Sequence, residues 1–153
     1  LRRVWELPTK PTKDQWMVPL PFVATTEGEA RGILLYLEEF LGAHTTEQLG
    51  VFVVEGDMTT EEKEKGVIAL KSQIRVAPWE AAIHQYAHIV TGYNPEENRW
   101  LFQLNLERIS GSIGIWEKAN RRFIDSLRKQ FLIWRALTPS EKGEYERRAL
   151  EKA

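Results

Sequence analysis

Apolar and polar residues alternate over two stretches of the chain, and strict alternation is typical of strands with one buried face. These stretches are Val67–Val76 and Arg99–Ile109, and the β-branched run Val51–Glu55 predicts a further, buried strand. Periodicity alone allows either a helix or a strand over Trp79–Thr91. Its position between two predicted strands favours a strand, which gives a simple antiparallel meander.

Elsewhere apolar residues recur every three or four positions, which predicts helices. Thr26 and Glu29 form a capping box ahead of a helix over residues 27–43. A long helix is predicted after Gly111, ending at about Arg135. Its inner stripe comprises Ile113, Trp116, Asn120, Phe123, Leu127, Phe131 and Trp134. A capping threonine and a proline at the first helical position predict a terminal helix over residues 139–151.

Together these elements predict an α+β fold, with an antiparallel sheet of four or more strands packed mainly on one face by helices. The long helix is expected to bury Trp116, Phe123, Leu127 and Phe131 against Phe102, Leu104 and Leu106. Residues 1–21 hold four of the seven prolines, so we expect an extended lead-in, part of which lies against the body. With 153 residues, the chain 1–153 is expected to form one domain.

Charge balance, cysteine content and the length of the apolar runs exclude several classes of function. The 21 basic and 22 acidic side chains nearly balance, which excludes a generally basic nucleic-acid binder. There is no cysteine, so disulfides, thiolate metal sites and cysteine nucleophiles are excluded as well. Apolar runs fall short of the ~20 residues that span a bilayer. Because the chain begins at Leu1 rather than methionine, we expect a trimmed part of a larger protein.

A candidate metal site is formed by Glu80, His84 and His88, which are spaced four residues apart. On a helix this spacing would align a carboxylate and two imidazoles, as a zinc or iron site requires. On a strand the two histidines would be ~13 Å apart, too far to share one ion. We favour partly exposed histidines on a sheet face and expect no cofactor; the metal site remains the alternative.

A second candidate site is the basic side of the long helix. Its cations are Lys118, Arg121, Arg122, Arg128, Lys129 and Arg135, opposed only by Glu117 and Asp125, and all of them except Arg135 are candidate binding residues. They could form a solvated face paired with acids such as Glu38, Glu39 or Glu107, or could meet phospholipid headgroups. Nucleic acid is the least favoured partner, because no base-stacking motif accompanies the cations. Asn120, between Trp116 and Phe123, is expected to hydrogen-bond a neighbouring backbone.

The segment RISGSIGIWEKANRRFIDSLRKQFLIWRAL, with the preceding strand LFQLNLERISG, resembles the C-terminal soluble region of bacterial multi-spanning membrane proteins of uncharacterised activity. The likeness covers about residues 67–137. It implies a water-soluble domain attached to a membrane part, and it supports a strand over Trp79–Thr91. No catalytic or binding residue is carried over from that family.

We therefore expect a non-enzymatic accessory or interaction domain, located at the cytoplasmic face of a membrane or in the cytoplasm. Its expected partner is another protein, its own membrane region or anionic lipid headgroups; the sequence leaves its oligomeric state open. A metal-binding or enzymatic domain that uses Glu80, His84 and His88 is the first alternative. Phosphate or nucleic-acid binding through the basic helix, residues 117–135, is the second.

Overall fold

The computed structural model describes residues 14–43, 51–56, 68–76 and 83–152. The secondary-structure elements follow one another along the chain as β1 Gln15–Ala24, α1 Glu27–Ala43, β2 Val51–Gly56, β3 Ile68–Val76, β4 Ile83–Asn94, β5 Arg99–Ser110, α2 Ile113–Ala136 and α3 Pro139–Lys152.

The strands form a sheet in the order β1-β5-β4-β3-β2, in which every neighbouring pair is antiparallel. Strands β2 to β5 follow one another as a meander, and β1 is added beside β5. The predicted α+β class with an antiparallel sheet is confirmed. Residues 83–91 of the ambiguous segment lie in β4, so the strand interpretation is correct there; residues 79–82 lie outside the described residues.

From Gln15 onward the expected lead-in over residues 1–21 is extended and lies against the body, but it does so as the edge strand β1, which was not predicted from the sequence. Proline cannot donate to a strand ladder and is tolerated at a sheet edge or in a bulge. Pro19 pairs with Gln103 at the edge, and Pro21 lies where the register shifts between Leu20 and Val23. The prolines therefore indicate an edge position here, not a linker. Residues 1–13 lie outside the described part of the chain.

One face of the sheet carries the core. Buried side chains of β1, β5 and β4 occupy matching register positions, such as Val18, Leu104 and Ile89. The helices α1 and α2 cover this face, and their buried residues belong to the same apolar cluster. At the usual ~25 cal/mol per Å² of apolar surface, this burial is the main stabilising contribution to the fold.

The long helix buries Trp116, Phe123 and Leu127 in this cluster together with Phe102, Leu104 and Leu106, as predicted. Phe131 is partly buried and meets the ring of Phe22 edge-on, with centroids 5.7 Å apart. Ile113 was expected on the inner stripe, but 43% of it is exposed. It is the first residue of α2 and lies at a strand-to-helix junction in which residues 109–115 are all exposed.

The terminal helix α3 packs closely against α1. A Cβ built on Gly32 would lie 3.1 Å from the backbone nitrogen of Glu146 and 3.2 Å from its Cα. The ring of Tyr145 meets Tyr36 and Trp134, with centroids 5.4 and 5.7 Å away. Burial and the proximity of Tyr145 raise the pKa of the Tyr36 hydroxyl, which donates a 2.7 Å hydrogen bond to Gln130. The absence of a side chain at Gly32 is thus what lets two helix backbones approach.

The capping box predicted at Thr138 is present in full, and the one predicted at Thr26 is present in the half that the threonine hydroxyl forms. The Thr26 hydroxyl accepts a hydrogen bond from the amide of Glu29 at 3.1 Å. At the start of α3, the Thr138 hydroxyl accepts from the Glu141 amide and the Glu141 carboxylate accepts from the Thr138 amide. These backbone and side-chain hydrogen bonds lower the pKa of Glu141. Each box satisfies amides that the first helical turn leaves without partners.

Gly32 and Gly143 provide a matched pair for testing the α1–α3 contact. We expect Gly32→Leu to lower the free energy of unfolding by about 1–3 kcal/mol, because the new side chain must displace the α3 backbone. Nothing lies within 4 Å of a Cβ built on Gly143, so Gly143→Leu gains helix propensity and is expected to be neutral or stabilising. Urea denaturation measures both variants, and equal losses would contradict a contact specific to Gly32.

Candidate functional site: the outer face of α2

A buried polar cluster attaches α2 to the sheet. Gln85 on β4 and Asn120 on α2 are both fully buried, and each amide donates to the carbonyl of the other at 2.8 and 3.0 Å. The indole N–H of Trp116 donates to the same Gln85 oxygen at 2.5 Å. Asn120 was expected to bond a backbone group, but its partner is a side chain across the core. Directional bonds of this kind fix the rotation of α2 about its own axis.

The first half of α2 is also attached to β1 through aromatic contacts. Trp16 and Trp116 meet edge-on with centroids 6.1 Å apart. The guanidinium of Arg121 lies 5.5 Å from the centroid of the Trp16 ring and 3.5 Å from the Glu117 carboxylate. A cation that is held between a ring and an acid has a structural role. Arg121, one of the five predicted binding residues, is therefore part of the scaffold.

The other four predicted binding residues have a different environment. Lys118, Arg122 and Lys129 are exposed and Arg128 is half-buried, and no described carboxylate lies within ion-pair distance of any of them. One of the acids considered as a partner for this face, Glu39, instead pairs with Arg148 of α3. Four cations on one helix thus face solvent without a described counter-charge.

Three of these cations and two exposed isoleucines lie on the same side of α2. Because successive residues of a helix are rotated by 100° about its axis, all five lie within an arc of about 60° on the outward side. We call this set the outer stripe: Ile115, Lys118, Arg122, Lys129 and Ile133. Asp125 is exposed on the same side and opposes the cations, whereas Arg121 and Arg128 lie on its flank. The stripe can attract phosphate groups and also offer apolar contact at its ends.

The proposed metal ligands do not have the helical arrangement that the metal hypothesis needs. His84 and His88 both lie in β4, where four residues span ~13 Å of strand. The buried side chains of β4 are Gln85, Ala87, Ile89 and Thr91, whose positions alternate with those of the histidines. Glu80 lies outside the described residues. Among the residues that are described, no group of three or more histidines and acids is close enough to hold an ion.

Sequence reasoning missed two contributions to this site. Gln85 was not singled out, although it shares the alternation of the buried residues Ala87 and Ile89 in β4. Its partner Asn120 is 35 positions away, and no local pattern connects the two. Ile115 and Ile133 were also overlooked. They are 18 residues apart, which is five helical turns, so they lie on the same side of a helix as each other and close to Arg122 and Lys129. This spacing is the sequence signal that could have identified them.

A double-mutant cycle tests the buried amide pair. We expect Asn120→Leu to lower the free energy of unfolding by about 1–3 kcal/mol, because the Gln85 amide loses its partner in the core. Gln85→Met combined with Asn120→Leu should cost less than the sum of the single changes.

Gln103 and Asn105 provide the control, since their amides bond at 2.6 Å in a half-buried position on β5. Gln103→Met and Asn105→Leu should be nearly additive. Equal coupling at both amide pairs, measured by urea denaturation, would contradict the special role of the buried pair.

None of the helices in the described ranges is long and apolar enough to cross a membrane. Comparison of the chain with family models, with curated proteins and with solved structures gave no match. The outer face of α2 is thus identified by its own geometry: aligned cations without described counter-charges, presented by a helix whose rotation is fixed from within.

Proposed function

We propose that this chain is a non-enzymatic interaction domain, attached to a membrane, that directs the outer face of α2 toward anionic phospholipid headgroups. One observation carries the proposal: the unpaired state of Lys118, Arg122, Arg128 and Lys129 within the described structure. The membrane attachment is part of the proposal, and it is taken from the expected resemblance of residues 67–137 to soluble regions of membrane proteins.

The contrast with the rest of the surface strengthens this argument. Outside α2, every arginine with a described side chain makes an ion pair: Arg31, Arg99, Arg108, Arg147 and Arg148. Lys142 is a described lysine outside α2 without a described ion pair, and it lies 5.9 Å from the centroid of the Trp134 ring. Within the described residues, the unpaired cations are therefore concentrated on α2. Unpaired cations on one side of a near-neutral chain create a local positive potential, which attracts anionic surfaces. Each cation close to an anionic bilayer contributes about 1 kcal/mol.

The buried polar groups of the described structure have structural roles. Gln85, Thr91 and Asn120 are the polar residues that are buried in the described structure, and none of them titrates near neutral pH. The two amides bond each other, and the Thr91 hydroxyl donates to the carbonyl of Leu101 at 2.9 Å. These buried groups serve to hold the elements together.

The experiment is co-sedimentation with vesicles of phosphatidylglycerol and phosphatidylcholine. We expect the wild-type chain to bind anionic vesicles, to release them as salt rises, and to ignore pure phosphatidylcholine. Arg122→Glu with Lys129→Glu should weaken binding at least 30-fold, because two contributions of about 1 kcal/mol are lost.

The matched control reverses two charges elsewhere. Arg99→Glu with Arg147→Glu changes the net charge equally at exposed, ion-paired positions. We expect it to retain most of the binding. Equal losses in both double variants would show that net charge alone matters, and tighter binding to duplex DNA than to anionic vesicles would favour the nucleic-acid alternative instead.

A further inference from the structure

The outer stripe has apolar ends. Ile115 and Ile133 are 37% and 49% exposed, and they flank the three cations of the stripe. They lie five turns apart, so they point in the same direction and are separated by ~27 Å along the helix axis. The aromatic side chains of α2 are directed elsewhere, since Trp116, Phe123 and Trp134 are buried. Ile115 and Ile133 thus form two aliphatic contacts in line with the charges, whereas Leu132, which is 54% exposed, lies beside Ile133 and outside the arc of the stripe.

We propose that α2 lies parallel to an anionic bilayer, with Ile115 and Ile133 inserted among the acyl chains nearest the headgroups and Lys118, Arg122 and Lys129 at the phosphates between them. This inference rests on the proposed function and adds to it the orientation of the helix and an apolar anchor at each end.

The combination of groups selects a bilayer over other anionic surfaces. Interfacial helices place aliphatic side chains ~5–10 Å into the headgroup and acyl boundary while their lysines and arginines stay at the phosphates. A nucleic acid offers phosphates without an apolar phase, and proteins that bind single strands commonly present exposed aromatic rings for stacking. The outer stripe has aliphatic groups and no ring, so its chemistry matches the lipid interface.

The charge pattern is consistent with a shallow position. Asp125 is exposed on the outward side, between Arg122 and Lys129, and no described cation pairs with it. A carboxylate at this position remains in the aqueous headgroup layer, so the middle of α2 lies above the acyl chains. The isoleucines at both ends reach deeper, and the helix therefore lies flat.

The first experiment compares two pairs of exposed isoleucines. Ile115→Ser with Ile133→Ser should lower the partition coefficient on anionic vesicles roughly tenfold, because two half-exposed side chains lose their transfer from water. Ile109 and Ile113 are 49% and 43% exposed and lie outside the outer stripe. Ile109→Ser with Ile113→Ser should change the partition coefficient less than twofold.

The second experiment reports insertion directly. The chain contains no cysteine, so Ile133→Cys gives a single site for an environment-sensitive fluorophore. We expect a blue shift on anionic vesicles and quenching by lipids brominated near the headgroup. Glu96→Cys, on the exposed β4–β5 turn, is the control and should show neither effect.

The outcomes separate this inference from the proposed function. Wild-type chain that fails to bind anionic vesicles would overturn both. Salt-sensitive binding with no blue shift, and with no effect of Ile115→Ser with Ile133→Ser, would overturn the insertion alone and leave a purely electrostatic contact. If the wild-type chain self-associates without lipid and the double variant Ile115→Ser with Ile133→Ser does not, the outer stripe contacts a second copy of the chain. That result would overturn the proposed contact with a bilayer.

Discussion

The rotation of α2 about its axis is the constraint on which the rest of the structure depends. Apolar packing of Phe123 and Leu127 directs one side of the helix to the sheet, but such packing is tolerant of small rotations. The reciprocal amide bonds between Gln85 and Asn120 are directional, and the Trp116 indole shares the same acceptor. Since an unpaired buried amide is costly, these bonds permit one rotation and therefore determine which side chains face outward.

That rotation divides the basic residues of α2 into two groups with different roles. Arg121 and Arg135 lie 5.5 Å from the ring centroids of Trp16 and Phe131, where their charge and stems help to cover the core. Lys118, Arg122 and Lys129 gain no such contact and have no described carboxylate partner. Aligned like charges are mildly destabilising in a helix. The core contacts and the α1–α3 packing offset that cost, so the cationic stripe is compatible with a stable fold.

The sequence predicts most elements because their signals are local. The N-cap at Thr26, the capping box at Thr138 and the alternation in β5 depend on neighbouring residues alone, and the structure confirms them. The role of β1 depends on sheet order: Pro19 and Pro21 suit an edge strand, and periodicity carries no information about edges.

The candidate site could be predicted in part. The six cations of α2 are evident from the sequence, whereas their division into scaffold and outer stripe depends on ring contacts with Trp16 and Phe131. The partnership of Gln85 with Asn120 joins residues 35 positions apart, and no local pattern connects them. Ile113 has the helical spacing of the buried residues of α2 but lies at an exposed junction. Its exposure follows because the first turn of a helix can extend beyond the sheet on which the rest of the helix packs.

The most direct test of the account is methyl NMR of isoleucine-labelled protein on anionic nanodiscs that carry a paramagnetic lipid headgroup. Ile115 and Ile133 lie on the outer stripe, whereas Ile124 on the same helix is 1% exposed and faces the core. We expect strong paramagnetic broadening of Ile115 and Ile133, with the Ile124 signal retained. Broadening that favours Ile109 and Ile113, or that is equal for all isoleucines of α2, would contradict it.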